Sequence, residues 1–69
     1  MEREEVQSSA ITSVGYDPLS EVLEIEFASG AIWQYLGVPE AEHRELLSGS
    51  VGKYFHSQIK DKYPENRVR

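Results

Sequence analysis

The chain has no cysteine, so it can form neither disulfides nor thiolate metal sites. Its stability must come from packing, and a reducing cytoplasm suits it. Basic residues are scarce, seven Lys and Arg against twelve Asp and Glu, for a formal charge of −5. That balance disfavours indiscriminate attraction to polyanions. No apolar stretch exceeds three residues, which leaves no candidate signal segment or membrane span. With 69 residues there is room for one domain, near the lower size limit at which a hydrophobic core alone holds a fold.

What charge there is lies unevenly. Residues 53–69 carry Lys53, Lys60, Lys62, Arg67 and Arg69 against Asp61 and Glu65, a net of +3. Residues 1–52 carry only Arg3 and Arg44 against ten acids, a net of −8. A basic C-terminal third is attached to an acidic body.

Residues 1–8 are polar and charged and offer too little burial to offset ordering entropy, so they read as a flexible arm. Ile11, Thr12, Val14 and Tyr16 favour a strand, in which Ile11 and Val14 share a face only if a bulge intervenes. Asp17-Pro18-Leu19-Ser20 is a turn by composition. From Glu21 to Phe27 the residues alternate, with Leu23, Ile25 and Phe27 on one face and Glu24 and Glu26 on the other. A third strand spans Ala31 to Leu36, and its register depends on the loop before it. A two-residue Ser29-Gly30 loop sets Trp33 opposite Glu26. A three-residue loop, Ala28-Ser29-Gly30, sets Trp33 opposite Ile25 and Tyr35 opposite Leu23, and it is favoured because it buries more apolar area.

Gly37-Val38-Pro39 ends that strand, and Pro39 suits a helix start. One short helix is expected over Pro39–Ser48, with Gly49 as its stop. Ser50 then stands where it can cap a second helix, in which Val51, Phe55 and Ile59 recur at i, i+4. Residues 65–69 read as a flexible tail. The expected fold is α+β, a three-stranded antiparallel meander covered on one face by two short helices, in a single domain over residues 9–64.

The stretch from Ser9 to Tyr63 resembles the KTSC domain, a small bacterial domain named for its place at the C-terminus of some lysyl-tRNA synthetases and also found free-standing. The likeness is carried by Trp33-Gln34-Tyr35, by Gly37-Val38-Pro39, and by Ser50, Gly52, Tyr54, Phe55, Ile59 and Tyr63 in order. Trp33 replaces the more usual Tyr, His43 stands where a larger aromatic is expected, and His56 stands where Asn is common. The synthetase context implies an RNA-binding role.

Two groups of residues are candidates for contact with a partner. Trp33 and Tyr35 can stack unpaired bases from a sheet face, although the favoured register puts them in the core. Lys53, Tyr54, His56, Lys60 and Lys62 lie on or beside the second helix and, with Arg67, form a cationic strip with aromatic neighbours. Such a strip is more often the ordinary solvated face of a helix, with C-terminal lysines complementing its dipole. The two histidines have no metal-ligand spacing, and neither a nucleophile elbow nor a phosphate-binding loop is present. The sequence therefore points to a monomeric, cytoplasmic, non-catalytic module without cofactor or metal. It would bind a tRNA-like RNA or, alternatively, a protein.

Overall fold

A computed structural model describes residues 1–69. The hairpin chemistry read from the sequence forms the middle of an antiparallel sheet. Strand β2 (Ile11–Asp17), β3 (Val22–Phe27) and β4 (Ile32–Leu36) are consecutive neighbours. A register shift between Ile11 and Ser13 supplies the bulge that puts Ile11 and Val14 on the same buried face. The three-residue loop sets the next register, with Trp33 opposite Ile25 and Tyr35 opposite Leu23. Gly30 closes that loop at φ +94°, a conformation that penalises any Cβ. Gly30→Val is therefore expected to lower stability by about 1–2 kcal/mol, while Ser29→Ala changes it little. Thermal unfolding of the two variants side by side checks this, and equal effects would contradict the loop assignment.

The sheet has five strands, which corrects the three-stranded expectation. Residues expected to form a loose arm and tail supply β1 (Arg3–Glu5) and β5 (Glu65–Arg67), which flank β2 and β4 to give the order β1-β2-β3-β4-β5. Neither added strand has an apolar pattern, and each is tied down by means other than core burial. Gly15 makes room for the first: a Cβ there would lie 2.7 Å from the Glu2 carbonyl and 3.0 Å from Arg3 Cγ. Arg3 then reaches across the outer face, where Nη1 donates to Glu24 Oε2 at 2.5 Å and Nε donates to Ser13 Oγ at 3.0 Å. Ser13 Oγ donates onward to Glu26 at 2.8 Å, and Gln34 Nε2 donates to the other Glu24 oxygen at 2.9 Å. The last strand is bracketed by backbone bonds from Leu36 N to Pro64 O and from Ile32 N to Arg69 O.

Glu24 is only 6 % exposed. Burial pushes its carboxyl up, but the hydrogen bonds from Gln34 and Arg3 and the charge of Arg3 outweigh that and hold it below the usual range.

Helix α1 (Glu40–Leu47) occupies almost the expected span. The second helix is less regular: four residues of α2 (Val51–Tyr54) run directly into a π turn over Phe55–Ile59, closed by Lys60 N donating to Phe55 O at 2.8 Å. Val51, Phe55 and Ile59 are nonetheless all buried and meet Leu23, Ile25, Tyr35, Val38 and Leu46 in one core. Phe55 is wedged edge-on between Phe27 and Tyr35, each ring centroid 5.4 Å away.

Candidate functional site

Because Val51, Phe55 and Ile59 face inward, the opposite side of the same segment faces water. Lys53, His56, Lys60 and Lys62 are all exposed there. His56 lies between Lys53 and Lys60 in the chain, its ring packed at a steep angle against Phe55. Asp61 reverses the chain at φ +64°, leading through Lys62 and Pro64 into β5. There Arg67 pairs with Trp33 in the ladder and is exposed, with Nε donating to the Arg69 carbonyl at 3.2 Å.

The aromatic residues proposed as stacking surfaces are otherwise engaged. Tyr35 is 2 % exposed, held in the core by the register that pairs it with Leu23. Burial and the nearby Glu65 and Asp61 carboxylates push its phenol up to about 12. A base cannot reach its face, and the expectation that Tyr35 contacts a ligand is corrected on that ground. Trp33 is half-buried and packs against the core from its rim.

Tyr54 is also half-buried. Its hydroxyl donates to one oxygen of Glu42, and the Tyr63 hydroxyl donates to the other at 3.0 Å. The hydrogen bond to Glu42, with burial behind it, raises the Tyr54 phenol to about 12. This carboxylate clamp binds α1 to α2 and to the turn before β5. It assigns Tyr54 a structural contact and leaves the lysines as the accessible groups.

The two histidines are apart in role. His43 stacks on Tyr16 at 4.7 Å between centroids and 12° between planes, and Tyr16 donates its hydroxyl to Val38 O at 2.6 Å. His43 thus does the packing work of the aromatic whose place it takes. Burial lowers its pKa despite Glu4 and Glu40 nearby. No cluster of three His, Asp or Glu side chains is arranged to hold a metal.

A groove that the sequence did not reveal runs beside Lys53. One wall is Gln7–Ala10, the segment joining β1 to β2; the other comprises Ser50–Lys53, His56 and Ser57, and between them lies an open groove of about 910 Å³. Ser8 Oγ accepts from the Ala10 and Ile11 backbone N–H groups, both at 3.3 Å. Ser50 occupies the N-cap position of α2 but makes no side-chain capping bond, contrary to its expected role. Ser50 lines the groove, and its hydroxyl makes no intramolecular hydrogen bond. Only the serine-rich character of residues 7–10 and 48–50 hinted at this groove, because its walls are 40 residues apart in the chain and meet only once β1 has docked.

Comparison with known proteins places the sequence and the fold. The sequence profile of the KTSC domain matches residues 7–63. An uncharacterized protein of Stutzerimonas stutzeri is 41% identical over 64 residues, covering 91% of this chain and 90% of the relative. A lysine–tRNA ligase of Nostoc is 38% identical over 58 residues, covering 83% of this chain but only 10% of the ligase. The crystal structure of a KTSC domain protein from Yersinia pestis superposes with a TM-score of 0.95 at 42% identity, covering 99% of this chain and 97% of that one.

Proposed function

This chain belongs to the KTSC domain family, and we propose that it is a small non-catalytic module that contacts RNA through the cations of its C-terminal third. The observation that carries this reading is how the basic residues are used. Arg3 and Arg44, the only two in the acidic body, are engaged in ion pairs with Glu24 and Glu40. Lys53, Lys60, Lys62, Arg67 and Arg69 are all exposed and form no ion pair. Free cations on one segment of an otherwise acidic surface favour phosphate contact there and orient the approach. The relative in which this unit is one tenth of a lysine–tRNA ligase makes tRNA the natural first ligand to test.

A protein-docking reading has less support. The exposed large apolar residues are Met1, Leu19, Leu36 and Val68. Met1 lies beside β1 and Val68 beside β5, at opposite edges of the sheet, so these two do not share a patch.

The test is a triple substitution, Lys53→Gln, Lys60→Gln and Lys62→Gln. All three side chains are exposed, so the thermal unfolding midpoint should stay within a few degrees of the parent. Affinity for total tRNA, read by fluorescence anisotropy at low salt, should fall at least about tenfold. Undiminished binding by the folded variant would refute the basic-face reading.

A further inference from the structure

The groove between Gln7–Ala10 and the start of α2 combines three properties. Its ten lining residues include Lys53, His56 and four of the chain's eight serines, yet none of its twelve carboxylates. Its hydroxyls are positioned to donate. The Ser8 oxygen already accepts two backbone bonds, so its own proton is free to point outward, and the Ser50 hydroxyl, which makes no cap bond, is free as well. Its volume of about 910 Å³ lies within the range of sites that hold small ligands and is far larger than one tetrahedral anion requires.

From these observations we infer that the groove is a binding site for a nucleotide phosphate ester. The Lys53 ammonium and the Ser8 and Ser50 hydroxyls hold the phosphate oxygens, and the attached nucleoside lies along the groove toward His56. A phosphate presents only acceptors, so an ammonium and hydroxyl donors set in a largely apolar lining without a carboxylate match it in charge and in hydrogen-bonding sense. The exposed His56 ring, braced edge-on by Phe55, offers a flat surface for a sugar or base once the phosphate is held. Gly52 keeps the floor of the groove low, since the nearest atom to a Cβ built there is Ser8 Oγ at 3.5 Å. The same chemistry is presented by a residue of an RNA chain and by a free mononucleotide.

The inference deepens the RNA reading by naming where one phosphate sits, and it can fail independently of it. The experiment is a titration of the full chain, followed by backbone amide shifts, with a uridine hexanucleotide, with uridine 5′-monophosphate and with inorganic phosphate. Amides of Ser8, Ser9, Ser50, Gly52 and Lys53 are expected to move with the RNA. Movement with the monophosphate as well places a single nucleotide in the groove, and movement with the RNA alone makes it a site for the polymer.

Ser50→Ala combined with Lys53→Gln should weaken the groove response about tenfold. Gly52→Leu, which fills the floor while improving helix propensity, should do the same without loss of thermal stability. Silent groove amides alongside shifts at Lys60, Lys62 and Arg67 would overturn the groove site and leave the RNA reading standing. No shift at any residue would overturn both. An equal response to inorganic phosphate would overturn the nucleoside part.

Discussion

Replacing Phe55 with Ala is expected to leave the chain largely unfolded at room temperature. Phe55 is 2 % exposed, and its ring contacts both Phe27 and Tyr35 in edge-on geometry. It joins the π turn to two strands of the sheet at once. Truncating a buried Phe costs about 3–5 kcal/mol through lost transfer energy and the cavity left behind, with a further contribution from the two aromatic pairs. A domain of this size has a total stability of only about 3–10 kcal/mol, so one such cavity removes most of it. Urea unfolding followed by Trp33 fluorescence measures the effect, and a variant within 1 kcal/mol of the parent would contradict the placement of Phe55 at the centre of the core. Trp33→Ala should cost less, because Trp33 packs on the rim and remains half-exposed.

The second large effect is expected at Arg3, a residue that the sequence assigned to a loose arm. Arg3→Gln removes the cation that pairs with Glu24, which is itself nearly buried. Leaving one member of such a pair uncompensated is strongly destabilising. The side chain of Arg3 keeps 26% exposure, so the cost falls below that of a fully buried pair, at about 2–3 kcal/mol.

The loss also has a pH signature. The folded pKa of Glu24 lies below its ordinary value of 4.5. The stability it contributes is therefore complete above that value and declines as pH falls through the folded pKa. Without Arg3 the depression shrinks, so the variant should lose less stability than the parent as pH falls below 4.5, and the difference between the two should be constant from pH 5 to 7 and narrow toward pH 3. His43 adds an acid-side loss of its own that begins below its ordinary 6.5, since burial lowers its pKa in the folded state. That loss is common to both proteins and cancels in their difference. Unfolding free energies of the two proteins from pH 3 to 7 test this, and superimposable curves would show that β1 does not hold the Glu24 charge.

The parts of the fold legible in the sequence are those in which burial and periodicity act together. Alternation over Leu23, Ile25 and Phe27, a three-residue loop with glycine at its end, and the Val51, Phe55, Ile59 spacing all led to the observed core. The edge strands β1 and β5 were not legible because they bury little. One depends on Gly15 allowing a close backbone approach and on an arginine 21 positions from its carboxylate; the other depends on backbone bonds to β4. The π turn keeps the buried positions at i, i+4, so an α-helix was the natural reading.

At the site, the exposed lysines could be read from charge and helical spacing. The exclusion of Tyr35 follows from the same register that predicted its pairing with Leu23. The clamp of Tyr54 and Tyr63 on Glu42, and the groove beside Lys53, join segments distant in sequence and became visible only once the sheet and helices were in place.

The salt dependence of tRNA binding by the unmodified chain tests the central claim most directly. If three to five of the free C-terminal cations neutralise phosphates, the logarithm of the association constant should fall linearly with the logarithm of salt concentration, with a slope of about −2 to −4. Binding would then be readily detected at low salt and weak at physiological salt. A slope near zero, or no binding even at low salt, would contradict the account.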